Sequence, residues 1–200
     1  MGRQKSYQRS EVLEKAMQLF WKKGYVGTHL SELMQKTGLN KFSLYNEFGG
    51  KEALFHQCLS LYLDQADEYY SQTLNKTPYG LKNITNYFST IRFSEDYHGC
   101  FFVHTLSESH VTPEKSYDLV RSYSEKVESF YLKNIDAALA NSEIKTEFTA
   151  KGLAQYLTMV DLGLSVFGIH HKKGEVLAEV VALVLSKLER SDERMPLDHV

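Results

Sequence analysis

Between residues 41 and 51 the sequence KFSLYNEFGGK brings together Lys41, Phe42, Ser43, Tyr45, Asn46 and Lys51. Ammonium and hydroxyl groups suit phosphate oxygens, while a side-chain amide and an exposed ring suit base edges and thymine methyls. Charge points the same way. Residues 1–51 hold nine Lys and Arg against four Glu, whereas the remainder holds fourteen against twenty-one acids. A basic head on an acidic body is expected when only the head meets a polyanion.

Other chemistries find less support. His98, His104 and His110 recur every six residues, but six residues turn a helix by about 600°, so successive rings diverge by about 120° and cannot share one ion. Adjacent His170 and His171 diverge as well, and no HxxxH pair occurs, so neither a metal nor another cofactor is expected. Cys58 and Cys100 lie 42 positions apart without metal-type spacing and read as free thiols. There is no nucleophile–base motif and no phosphate-binding glycine loop. An enzyme or carrier that merely contains a helix-turn-helix therefore has little to recommend it. A pure protein-interaction module leaves the basic head unexplained. No apolar run approaches the roughly 18 residues of a membrane span, and no apolar signal core follows the basic start. The expected compartment is the cytoplasm.

The elements that would position these groups are helical throughout. Val12, Leu13, Ala16, Met17, Leu19 and Phe20 fall at helical spacing, and Lys22-Lys23-Gly24 closes a first helix over about 7–23. Thr28 is suited to cap a second helix that Gly38 ends. Asn40 caps the third, with Leu39 and Leu44 placed as a hydrophobic staple. Leu44 and Phe48 then face inward and Lys41, Phe42, Tyr45 and Asn46 outward. Two short helices joined by a glycine-containing turn make a helix-turn-helix. Lys51 opens a fourth helix to about Leu74, and further helices are expected near 79–93, 100–106, 112–140, 147–171 and 175–190. The expected fold class is all-α with about nine helices.

Residues 10–55 resemble the TetR family of bacterial regulators. The resemblance rests on Ala16-x-x-Leu19-Phe20-x-x-x-Gly24-Tyr25, on Thr28, on Thr37-Gly38-Leu39-Asn40-Lys41, and on Leu44-Tyr45-x-x-Phe48-x-x-Lys51-Glu52-x-Leu54. It implies a DNA-binding domain over 1–52 and a ligand-binding and dimerisation domain over 53–200. It implies that Thr28, Tyr45 and Lys51 hold phosphates; His29, beside Thr28, joins the DNA-binding set, and Lys41, Phe42, Ser43 and Asn46 are the candidates for base contact. Phe42 stands where the family is often small, and Glu47 places a carboxylate in the recognition helix. The implied partners are a double-stranded palindromic operator, a small effector and a second copy of the chain. Repression is the commoner role in the family, activation the alternative.

The body is dense in aromatics, which suits a small-molecule cavity with a few hydroxyls. Phe88, Phe101, His104, Tyr123 and Tyr156 are the expected ligand contacts, and the effector is expected to be largely apolar. The last helix is apolar over more than one stripe, and the helix before it offers small Gly163 and Ser165. Paired about a two-fold axis they would form a four-helix bundle, with Leu157, Leu164, Val180 and Val184 at the interface.

Overall fold

The computed structural model describes residues 7–171, 174–186 and 188. Among them are nine α-helices: α1 Arg9–Gly27, α2 Leu30–Thr37, α3 Lys41–Phe48, α4 Lys51–Gln72, α5 Leu81–Thr90, α6 Phe101–Ser107, α7 Glu114–Ala140, α8 Ala150–Phe167 and α9 Gly174–Ser186. The all-α expectation holds. No described helix is long and apolar enough to cross a membrane.

Helix ends fall where the local chemistry dictates. Gly24 leaves helical geometry at φ 69°, so the regular part of α1 stops there and one more turn leads to Gly27. A side chain at Gly24 would be strained by that φ, and its Cβ would come within 2.9 Å of the Glu108 carboxylate. Asn40 caps α3, accepting the Ser43 N–H at 2.8 Å, and Gly38 and Gly49 close α2 and α3 in the left-handed conformation. Thr149 caps α8 by accepting the Gly152 N–H at 3.0 Å. The fifth helix is shorter than expected. It ends at Thr90, and the Phe93 ring lies so close to Gly168 that a Cβ there would sit 2.6 Å away.

The chain packs as two compact units, Met1–Glu68 with His98–Ser124, and Tyr69–Tyr97 with Glu125–Val200. They do not coincide with a functional division after residue 52, because α6 and the start of α7 pack with the head. In the first unit, Phe55 meets Phe20 and Phe101 edge-on at 5.1 and 5.6 Å. Trp21 donates its indole N–H to Gly99 O at 2.9 Å. In the second unit the buried amide of Asn134 is fully satisfied. It donates to Leu74 O (2.7 Å) and Phe130 O (2.8 Å), and accepts from Gly80 N–H (3.1 Å) and Asn83 Nδ2 (2.9 Å).

Candidate nucleic-acid interface and a buried carboxylate

The outer face of α3 is built by what lies beneath it. Leu33, Leu39, Leu44 and Phe48 are buried, which fixes α3 against α2. Lys41, Phe42, Tyr45 and Asn46 are left exposed, Phe42 at 79% and Tyr45 at 50%. An exposed ring beside a cation and an amide offers the apolar contact that a thymine methyl takes. Ser43 is half-buried, with its backbone N–H held by the Asn40 cap. Gly50 sits at φ 98°, which a side chain would strain, and a Cβ there would stand 3.0 Å from Tyr45 Cε1 and press the ring aside. That glycine seats the Tyr45 ring. The Lys41 ammonium lies 6.0 Å from the centre of the same ring.

Lys51 begins α4, where the helix N-terminus adds positive potential. Its Nζ sits 4.3 Å from the Tyr25 ring centre, and partial burial lowers its pKa. A cation already partly stripped of water and backed by a ring suits a phosphate oxygen. Two details at α2 differ from expectation. The cap position belongs to His29, which is exposed and whose N–H donates to Glu32 Oε2 at 3.1 Å. Thr28 is fully buried and its hydroxyl donates to Gly24 O at 2.8 Å. It closes the joint between α1 and α2, with its hydroxyl already bonded and no side-chain surface left for a phosphate. Lys23 and Glu32 form an ion pair across the same joint.

The five residues expected to contact ligand are divided between the compact units. Phe101, His104 and Tyr123 belong to the first, Phe88 and Tyr156 to the second. Phe101 and Phe88 are buried and His104 and Tyr156 half-buried. Tyr123 is buried, meets Phe102 edge-on at 5.4 Å and donates to Asp67 Oδ1 at 3.0 Å. Burial and the neighbouring Asp67 carboxylate raise its pKa. Cys100 lies 3.1 Å from the Tyr62 hydroxyl, while Cys58 is buried and its thiol is pushed up by desolvation.

The most perturbed acid in the second unit escaped the sequence reading. Asp161 of α8 is buried, and its Oδ1 accepts from Tyr87 at 2.7 Å and its Oδ2 from Tyr70 at 3.4 Å. Burial pushes its carboxyl up to about 6, against the nearby hydroxyls of Tyr87, Tyr131 and Tyr70, which lower it. The available signal was one acid in register with Leu157, Thr158 and Leu164, all buried. On the expected interface helices, Leu157, Leu164 and Val184 are buried within their own protomer, and Val180 is half-buried. Among the described residues of these helices, Met159, Val166 and Leu183 are the large apolar groups left exposed.

Residues 12–58 match the model of the bacterial regulatory proteins of the tetR family. The HTH-type transcriptional repressor ComR of Escherichia coli K12 is 28% identical over 189 residues, covering 92% of this chain and 90% of that one. The repressor DhaR of Mycobacterium sp. GP1 is 25% identical, with 94% and 95% covered. A cysteine-substituted TetR family transcriptional regulator, CifR, complexed with 26-base-pair operator DNA, superposes with a TM-score of 0.80 at 26% identity. That match covers 94% of this chain and all of the other. Residues 12–58 carry the DNA-binding segment of the tetR family, and along its length the chain is similar to TetR-family transcriptional regulators. The exposed α3 face is thus the outer face of the second helix of that segment's helix-turn-helix, the helix such motifs place in the major groove.

Proposed function

We propose that the protein is a cytoplasmic repressor that grips a palindromic operator as a homodimer and lets go when a small, largely apolar effector enters its body. The observation carrying this reading is the α3 surface, where Lys41, Phe42, Tyr45 and Asn46 are exposed over a fully buried Leu44. Tyr45, Lys51 and His29 hold phosphates; Lys41, Phe42 and Asn46 meet base edges, with Ser43 beside them at the helix start. Thr28 acts only through its backbone. The head over 1–52 reads DNA, and 53–200 senses and dimerises.

For the dimer, Met159, Val166 and Leu183 supply the contact, with exposed Gly163 and Ala182 permitting close approach. Ligand contact is assigned to the body's aromatic clusters, among them Phe88, Phe101, His104, Tyr123 and Tyr156. Affinity selection of fragments from the source genome, followed by gel shift against salt, tests the reading. The expected outcome is one palindromic sequence class bound well above random DNA, with log affinity falling linearly in log salt. Equal affinity for every fragment, or no salt dependence, refutes it.

A further inference from the structure

Asp161 is an anion enclosed by phenols, with no cation pairing it among the described residues. Among the described residues its side chain accepts only from Tyr87 and Tyr70, and no described ion pair includes it. Buried carboxylates are ordinarily matched by a base or a metal. One carboxylate among phenols is far short of the six or more oxygens that a hard cation such as calcium takes.

A second observation at the same place points to a missing partner. Tyr131 is wholly buried and its hydroxyl is coupled electrostatically to Asp161, yet its oxygen completes no hydrogen bond. The contrast with Asn134, one turn along α7 and satisfied at every polar atom, shows that this packing can saturate a buried polar group.

The surroundings are ring faces and edges. Tyr70 stacks on Tyr87 at 5.5 Å and 20°, and Tyr70 also meets Phe130 at 5.6 Å. Tyr87 is edge-on to Tyr131 at 6.1 Å, and Phe88 stacks on Tyr131 at 6.2 Å. Tyr69, 40% exposed and 5.7 Å from Tyr87, carries this aromatic run to the surface.

We infer that the Asp161–Tyr131 cluster is the effector's recognition centre and that the effector carries an organic ammonium group. A carboxylate supplies the counter-charge, and parted tyrosine faces supply the cation–π surface that a hydrophobic ammonium prefers over water. An anionic effector would meet the Asp161 charge, and a neutral one would leave it unpaired. Binding opens the Tyr70–Tyr87 stack and gives the Tyr131 oxygen a donor or a cation to face. The inference rests on the effector-controlled reading above and adds a ligand class to it.

Calorimetry on the full chain, without DNA, tests the assignment using phenethylammonium and benzyltrimethylammonium beside their neutral isosteres, propylbenzene and neopentylbenzene. Each cation is expected to bind at least tenfold more tightly than its isostere. Asp161→Asn, near-identical in shape, removes that preference and leaves the isosteres' affinities unchanged. Tyr131→Phe, which deletes only one oxygen, weakens cation binding severalfold and serves should the first variant fail to fold. Equal affinity for cation and isostere, a preference that survives in both variants, or no cation binding at millimolar concentration overturns the assignment. Operator gel shift on the ligand-free protein is a separate readout. Loss there counts against the repressor reading and leaves the calorimetric result standing.

Discussion

Replacing Asp161 by Asn should make the protein more stable at alkaline pH and leave it unchanged in acid. The carboxyl titrates at about 6 in the fold against 3.8 for the free side chain. Burial is the largest cause, outweighing the nearby hydroxyls of Tyr87, Tyr131 and Tyr70. Because the folded pKa is raised, the native state binds more protons than the unfolded chain between those values. The group's contribution is therefore fully favourable below about 3.8 and is lost as pH rises to about 6. Above that the charged form weighs against folding by about 3 kcal/mol, at 1.36 kcal/mol per pKa unit. Asparagine keeps the volume and an acceptor for Tyr87 but carries no charge. Urea denaturation at pH 8 should show the variant more stable by up to about 3 kcal/mol, and at pH 4 the two curves should nearly coincide. A variant that is less stable at pH 8, or a difference that does not change with pH, refutes the account of a desolvated, unpaired anion.

Three further outcomes are expected. Lys51→Ala should weaken binding to operator and random DNA alike and reduce the salt slope by about one unit; titration over a range of salt concentrations checks it. Asn46→Ala should instead relax preference at one base-pair position, at roughly 1–3 kcal/mol, as measured by gel shift on operator variants. Leu183→Glu, at a side chain 61% exposed, should keep the protomer folded and yield monomers by sedimentation, whereas an unchanged dimer would move the interface elsewhere.

Local signals in the sequence were sufficient for the head. Asn40, Gly38 and Gly49 act on backbone groups within four residues of themselves, so the ends of α2 and α3 could be read directly. The cap at α2 was misplaced by one residue because the hydroxyl of Thr28 turns back to Gly24 across the kink, which spacing alone does not reveal. Periodicity placed Leu157, Leu164 and Val184 on apolar helices. It could not say whether each points into its own protomer or toward another, because both helices are apolar on more than one side. The Asp161 cluster was harder still. Its phenols come from α4, α5 and α7, separated from Asp161 by 91, 74 and 30 positions, and a helical pattern gives the face of a residue without naming its neighbours.

One element links the two chemistries. Helix α4 has Lys51 as its first residue and Tyr69 and Tyr70 in its last turn. Its 22 residues make a rod of about 33 Å. A tilt of about 5° about one end carries the other through about 3 Å, as long as the hydrogen bonds that hold a phosphate. Two recognition helices must sit about 34–36 Å apart to enter successive major grooves, so a displacement of that size in each protomer spoils both contacts together. The energy required is modest, since hundredfold release corresponds to about 2.7 kcal/mol of differential affinity. An ammonium group that pairs with Asp161 by drawing Tyr70 aside acts on the last turn of the helix that begins at Lys51, and it releases operator by as much as the operator-free conformation holds it more tightly.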